Sequence, residues 1–514
     1  RNSSEPPKLI MATMIVMILM FSLTRIIAKD VINIAQGKIR GVHSDGFISY
    51  LGIPYGSLDK VNGRFKHAGL APIWTEIREA NEPHCYTSSP VEECLKLDVH
   101  VPHGSGLPVL AWVTGGSGRY NPTMLVKQGI IVVIIRHRLG PVGFLCLSED
   151  KIPGNAGLKD VVLALRWVRD NIIAFRGNPN KVIAAGQSFG AALVESLMLT
   201  PMAKGLFHGV ILQSGTVLAP WAFNYDAENR AKFLKMQFNG SRDSLLNRVG
   251  IADLAGRSED LELPYLPFGI CVEKPVKNEE RLLSQSPFDI ISSGNVAKVP
   301  MIMGYTDNEA YVFASMLKSA KALRKMSKGM EFLLPTELQT NKRDIPQLVN
   351  KVNDMYFDGN MTMASLLTYH RDAYFLGHIH RSVRLHASFS DSVYYYQFSY
   401  SGNVGVEGEP GMIKTGAAHS DELAYLFPAK DQRLDGDDGI VQENIIRLWT
   451  NFVKQLNPTP ESEHFLWEPV NSHDARLLDI NVDLRMIEFP YKRETQMWKD
   501  IYEKYYYENR RYSD

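Results

Sequence analysis

The chain is 514 residues long, 45% hydrophobic and 22% charged, with 56 Lys plus Arg against 56 Asp plus Glu. That composition specifies a globular protein with ample core, and the even charge balance excludes the basic excess that nucleic-acid binding requires. No internal repeat, low-complexity run or linker divides the sequence, so residues 29–514 are expected to form a single domain.

Leu9 to Thr24 carries no charge, and the run LIMATMIVMILMFSL is almost wholly apolar. A spanning helix needs about 20 such residues. With Lys8 before the run and Ala28 closing a small-residue cleavage position, residues 1–28 are expected to be a secretory signal peptide. An uncleaved hydrophobic anchor is the alternative, and only then would the protein meet a membrane. The sequence opens on Arg1, so Met11 is a candidate initiator. Export fits the sequons at Asn239 and Asn360, where glycosylation is expected. Four cysteines are few for this length: Cys85 and Cys94 close a short loop that a bridge could pin, whereas Cys146 and Cys271 sit in apolar surroundings and read as buried thiols.

VINIAQGKIRGV and GFISYLGIPYG alternate as antiparallel strands do. LDVHVP, LPVLAWV and GIIVVIIRH follow, the last two being near-continuous apolar runs of the kind buried on both faces of a parallel sheet. From Leu158 to Phe175, helical spacing places Leu158, Val161, Val162, Leu165, Val168, Ile172 and Ile173 on one stripe. The strand KVIAAG comes next, and GVILQSG, VPMIMGYT and VYYYQFSY supply three more. Strand and helix in this alternation predict a doubly wound, mostly parallel α/β sheet. Residues 221–295 and 315–385 are long insertions that read as helices, the natural walls of a substrate gorge at the carboxyl ends of the strands.

Within KVIAAGQSFGAALVESLML, the pentapeptide Gly186-Gln187-Ser188-Phe189-Gly190 lies between a strand and an amphipathic helix, the setting of a nucleophile elbow. Small residues two positions either side are what so sharp a turn demands. A serine hydroxyl needs a base oriented by a carboxylate, and in this fold class acid and base follow the serine in the chain. Glu309, in the loop after VPMIMGYT, is the candidate acid, and His419, in GAAHSDELAYLF, the candidate base.

Several long motifs then fall in register: YLGIPYG with Arg64-Phe65, EECLKLDVHVP, RLGPVGFL, PGNAGLKD, NPNKVIAAGQSFGA, LQSG, GYTDNEA and GAAHSDELAYLF. From about Val31 to Pro490 the chain resembles the type-B carboxylesterases, the cholinesterase-like branch of the α/β-hydrolase superfamily. The resemblance implies an α/β-hydrolase fold whose helical insertions form a gorge, and a triad of Ser188, Glu309 and His419. It implies an oxyanion hole of the Gly116, Ser117 and Phe189 amides, although Thr114-Gly115-Gly116-Ser117 stands where the family usually has His-Gly-Gly-Gly. Phe189 replaces the usual Ala, so its ring has to point away from the acyl group. Gly115, Gln187, Ser214 and Trp221 take supporting places, Trp221 as an acyl-pocket wall. Arg64 and Glu92 resemble a family ion pair, and Asp160 corresponds to a polar residue near the triad. Cys85 and Cys94 look like the family's first disulfide, on a loop much shorter than usual. That loop holds no Trp to face a quaternary ammonium, which argues against a choline ester. Gln187 and the HSDEL after the base resemble insect carboxylesterases of the juvenile-hormone-esterase type.

The function expected is that of a secreted serine carboxylesterase acting on a small-molecule ester, without metal or cofactor. TGGSG lacks the dinucleotide fingerprint, and His378 with His380 lacks a carboxylate cluster of ligand spacing. The alternative is an esterase-like binding or adhesion protein of the same fold.

Overall fold

A computed structural model describes residues 31–507 except 45, 59–62, 83–94, 117–119, 148, 150–151, 238–266, 319–329, 336–337, 339, 409–411, 430–432, 462 and 472–474. The expected signal segment, Cys85, Cys94, Glu92, Ser117 and Asn239 therefore lie outside the described residues.

Eleven strands form the main sheet: β1 (Val42–Ser44), β2 (Phe47–Pro54), β3 (Lys96–Pro102), β4 (Leu107–Val113), β5 (Ile131–Ile135), β6 (Gly177–Gln187), β7 (Gly209–Gln213), β8 (Met301–Thr306), β9 (Val393–Phe398), β10 (Leu477–Ile480) and β11 (Arg485–Ile487). Their spatial order is β11-β10-β9-β8-β7-β6-β4-β5-β3-β2-β1. Strands β4 to β10 run parallel, and antiparallel strands close both edges. Every strand read from the sequence is present, although VINI and GKIR pair in a separate small sheet. The short β10 and β11 carried too little pattern to be found.

Alternation along β4 shows how the sheet divides the core. Val109, Ala111 and Val113 face one apolar cluster, and Leu110 and Trp112 face the other. Helices α1 (Ala156–Asn171) and α2 (Phe189–Met198) cover the first face. The second is covered by α4 (Gly436–Gln455), which brings Val441, Ile445, Trp449 and Phe452 against it. Both faces of the sheet are thus dry, which is why its central strands read as continuous β-branched runs. The expected stripe on α1 holds to Ile172. Ile173 is 67% exposed, because the helix tightens to a 3₁₀ turn at Ile172–Phe175 and the changed residue spacing rotates it outward. Both insertions contribute helices among the described residues. Helices at 345–356, 363–371 and α3 (Gly377–Ala387) fill the second, whereas the first contributes Ala227–Gln237 and Pro287–Ser292 among the described residues.

Cys146 and Cys271 are not thiols: they form a disulfide across a sequence separation of 125. Gly154 makes room for it, since a Cβ there would lie 2.7 Å and 2.9 Å from the two sulfurs. Next to it, Asn155 Nδ2 donates to the Cys271 carbonyl at 2.8 Å while its Oδ1 accepts from the Cys271 N–H at 3.0 Å. Closing so long a loop restricts the unfolded chain, so a Cys146→Ala/Cys271→Ala variant is expected to lose about 2–5 kcal/mol in chemical denaturation. A wild-type midpoint in the double variant would contradict that.

Candidate active site

The elbow is a steric necessity written into three close approaches. A Cβ on Gly186 would lie 2.4 Å from the Gly190 carbonyl carbon, one on Gly190 2.4 Å from the Val113 carbonyl oxygen, and one on Gly115 2.2 Å from the Gln187 carbonyl oxygen. Between Gly186 and Gly190, Ser188 takes φ 60° and ψ −127°, a strained conformation at the junction of β6 and α2. Its N–H donates to the Gln213 carbonyl at the end of β7, at 2.8 Å. The first N–H groups of α2 have no intrahelical acceptor, and the helix dipole leaves that end partly positive.

The Phe189 side chain packs into the core beside this turn. Its ring is buried and meets Phe144 edge to face, 5.0 Å between centroids. On the other side, Thr114 roots the glycine segment: its N–H and Oγ1 both donate to the Ile135 carbonyl at 3.2 Å. The His137 ring lies 2.9 Å from the Thr114 carbonyl. Arg138 holds that corner through a buried bidentate pair with Asp160, at 2.6 Å and 2.7 Å. Asp160 therefore reaches the glycine segment only through two residues, Arg138 and His137, whose Nδ1 lies 3.0 Å from the Arg138 carbonyl. Arg64 contributes its carbonyl, which accepts from Arg138 Nη1 at 3.0 Å.

Acid and base arrive on two loops stitched together. Glu309 opens the 3₁₀ turn Glu309–Phe313 just beyond β8, and its Oε1 accepts from the Thr306 N–H at 2.8 Å. Its Oε2 lies 2.5 Å from His419 Nδ1. Ala417 N–H donates to Asp307 Oδ1 at 2.6 Å, and Asn308 N–H to the Ala417 carbonyl at 2.9 Å, which fixes the His419 loop to the Glu309 loop. Asp421 Oδ2 accepts from Ala418 N–H at 2.7 Å and pairs with Lys414 at 2.6 Å. Burial would lower the His419 pKa, but the Glu309 carboxylate, by charge and hydrogen bond, holds it above the ordinary histidine value. Burial, reinforced by the Glu309 charge, pushes the Glu422 carboxyl up to about 7.

A cleft of about 400 Å³ opens onto Ser188, Gln187 and His419. Gly115 and Gly116 form one lip; Tyr120, Leu423 and Phe427 form an apolar wall. Tyr120 and Phe427 pack on Trp112 behind them, with centroids 5.8 Å and 4.8 Å from it. Across His419 stands a second aromatic group. Phe375 lies 5.3 Å from the imidazole, Phe313 stacks on Phe375, and Trp221 backs Phe375 at 5.4 Å. Trp221 is buried and donates from Nε1 to the Tyr374 carbonyl at 2.7 Å, which holds it behind Phe375. Ser214 is buried too, at φ 53°, and its N–H donates to the Gly304 carbonyl at 2.8 Å.

The structure thus brings Ser188, Glu309, His419, Gly116, Gln187 and the Phe189 amide to one place. Sequence reasoning missed the chain behind them: Trp449 Nε1 donates to Gln213 Oε1 at 2.9 Å, and Gln213 Nε2 to Glu422 Oε1 at 3.1 Å. LQSG and HSDEL were the available signals. It also missed Glu195 on α2, fully buried and accepting from Thr216 Oγ1 at 2.6 Å, Val217 N–H at 2.7 Å and Ser382 Oγ, with His386 Nε2 at 3.1 Å. These contacts tie the elbow helix to α3. His378 and His380, set aside as metal ligands, pack against Tyr502 and Phe489 respectively.

The family model described as the carboxylesterase family matches residues 28–498. The chain belongs to the carboxylesterase family. It is 29% identical to venom carboxylesterase-6 of Apis mellifera, over 85% of this chain and 87% of that protein, and 26% identical to juvenile hormone esterase of Heliothis virescens with the same coverage. A crystal structure of juvenile hormone esterase from Manduca sexta, with OTFP covalently attached, superposes with a TM-score of 0.82 at 25% identity, covering 92% of this chain and 99% of that one. The fold is accordingly that of the α/β hydrolases, and the protein is an ester hydrolase.

Proposed function

We infer that this esterase works through an acyl-enzyme on Ser188. The observation that carries the reading is the pairing of a strained Ser188 at an elbow with a His419 imidazole held at 2.5 Å by buried Glu309, around one cleft. Ser188 Oγ attacks the ester carbonyl carbon as its proton passes to His419 Nε2. The oxygen of the tetrahedral intermediate takes its charge against the Phe189 and Gly116 N–H groups, with the Ser117 amide as third donor. Collapse expels the alcohol, which leaves with the proton from His419. Water then repeats the sequence on the acyl carbon and frees the acid. Tyr120, Leu423 and Phe427 suit an uncharged, apolar ester. Covalent attachment of OTFP in the juvenile hormone esterase structure supports the covalent step.

Secretion belongs to the same reading. The apolar segment before Ala28, a disulfide of the kind oxidising compartments keep, and an exposed sequon at Asn360 support it. No helix among the described residues is long and apolar enough to cross a membrane.

Turnover of a small chromogenic ester by the purified protein tests the mechanism, and its pH profile tests the base. His419 accepts a proton only when Nε2 is free, and Glu309 holds its pKa above the ordinary value. Therefore kcat/KM is expected to be level at alkaline pH and to fall as pH drops through a value above about 6.5. A profile level down to about pH 5 would remove His419 from the mechanism.

A further inference from the structure

Among the described residues, no hydrogen bond joins Ser188 Oγ to His419. The imidazole meets another residue instead: Gln187 Nε2 lies 3.2 Å from His419 Nε2 and donates to Ser420 Oγ at 2.8 Å. Glu309 fixes what this contact means. A carboxylate only accepts, so the proton of the neutral ring sits on Nδ1 and Nε2 offers a lone pair. The Gln187 amide donates to that lone pair, the one that has to receive the Ser188 proton.

Ser420 makes the arrangement a built one. Its φ of 75° is left-handed backbone, which glycine adopts freely and a serine adopts only under strain. Its hydroxyl is the atom that anchors the Gln187 amide. Gln187 is itself buried as the last residue of β6, which limits where its side chain can go.

We propose that Gln187, anchored by Ser420, is a positioning residue that caps the His419 base in the resting enzyme and yields it to Ser188 when an ester enters the cleft. This rests on the acyl-enzyme reading for its purpose, though the cap is a separate claim about one hydrogen bond. Donation to Nε2 favours the neutral ring and so opposes Glu309, Asp421 and Glu422, the carboxyl groups that favour the imidazolium. Among the described residues, the two rings packed on the imidazole, Phe313 and Phe375, carry no charge.

The test compares wild type with Gln187→Met, which keeps the bulk and loses the donor, and Ser420→Gly, which relieves the backbone and loses the anchor. Labelled-histidine NMR, with His419 assigned through His419→Gln, reads the imidazole pKa whether or not the protein turns over an ester. The pKa is expected to rise by about half to one unit in Gln187→Met and in the same direction in Ser420→Gly. At alkaline pH, where every variant has a neutral base, organophosphate labelling of Ser188 is expected to quicken about two- to tenfold in Gln187→Met. Thermal melts report that both variants are folded. An imidazole pKa that stays or falls in Gln187→Met, or, with wild type labelled, a labelling rate that does not rise in Gln187→Met, overturns the cap. Failure of wild type to be labelled at all, with the pKa rising as expected, would instead count against the acyl-enzyme reading and leave the hydrogen bond in place.

Discussion

Replacing Ser188 by alanine is expected to lower kcat/KM on a chromogenic ester roughly a million-fold, to the residue of catalysis that binding and the amide donors supply by themselves. The loss is that large because one atom serves every later step: without Oγ there is no acyl-enzyme, and His419 and Glu309 have no proton to move. Alanine fits the site sterically, since Ser188 carries its essential backbone contact through its N–H to Gln213 rather than through its side chain. The melting temperature should therefore stay near wild type. A Ser188→Ala protein retaining more than about a thousandth of wild-type activity would show that the nucleophile is elsewhere.

Glu309→Gln should cost about ten-thousand-fold in the same assay, with the fold again intact. Hydrogen-bond polarity sets this loss. Thr306 N–H donates to Oε1, so the glutamine oxygen stays at that position and the new amide nitrogen is forced toward His419 Nδ1. An amide NH₂ donates, so Nδ1 would have to become the acceptor and the ring proton would move to Nε2. The base would then face Ser188 already protonated. Steady-state kinetics together with a thermal melt separate this from misfolding, and activity within about tenfold of wild type would contradict the role given to Glu309.

Much of this site was legible because its requirements are local. An elbow needs small residues at fixed offsets from a serine, and Gly186 and Gly190 display that need in five letters. The acid and base were harder, since Glu309 and His419 are ordinary loop residues until their loops meet; chain order and loop position made them candidates, and long motifs in register strengthened the assignment. What escaped the sequence depends on contacts between distant segments. Cys146 and Cys271 have apolar neighbours whether reduced or bridged, and their pairing shows only when the Gly154-Asn155 turn lies beside the two sulfurs and holds the Cys271 backbone. The direction of the Phe189 ring could be stated only as a requirement, because Phe144, which receives it, lies on a different turn. The aromatic groups around the cleft come from separate segments, and Tyr120, Phe313, Phe375 and Phe427 each look like any core residue until those segments meet. Gln187 stood next to the nucleophile throughout, yet its contact with His419 appears only when β6 and the base loop are set side by side.

The central claim is that Ser188 becomes covalently acylated, and the most direct measurement is mass spectrometry of the protein after treatment with an organophosphate. One adduct per chain, mapped to the peptide containing GQSFG and located on Ser188, is the expected result. It should be absent from the Ser188→Ala variant. An unmodified wild-type chain, or an adduct on any other residue, would contradict it.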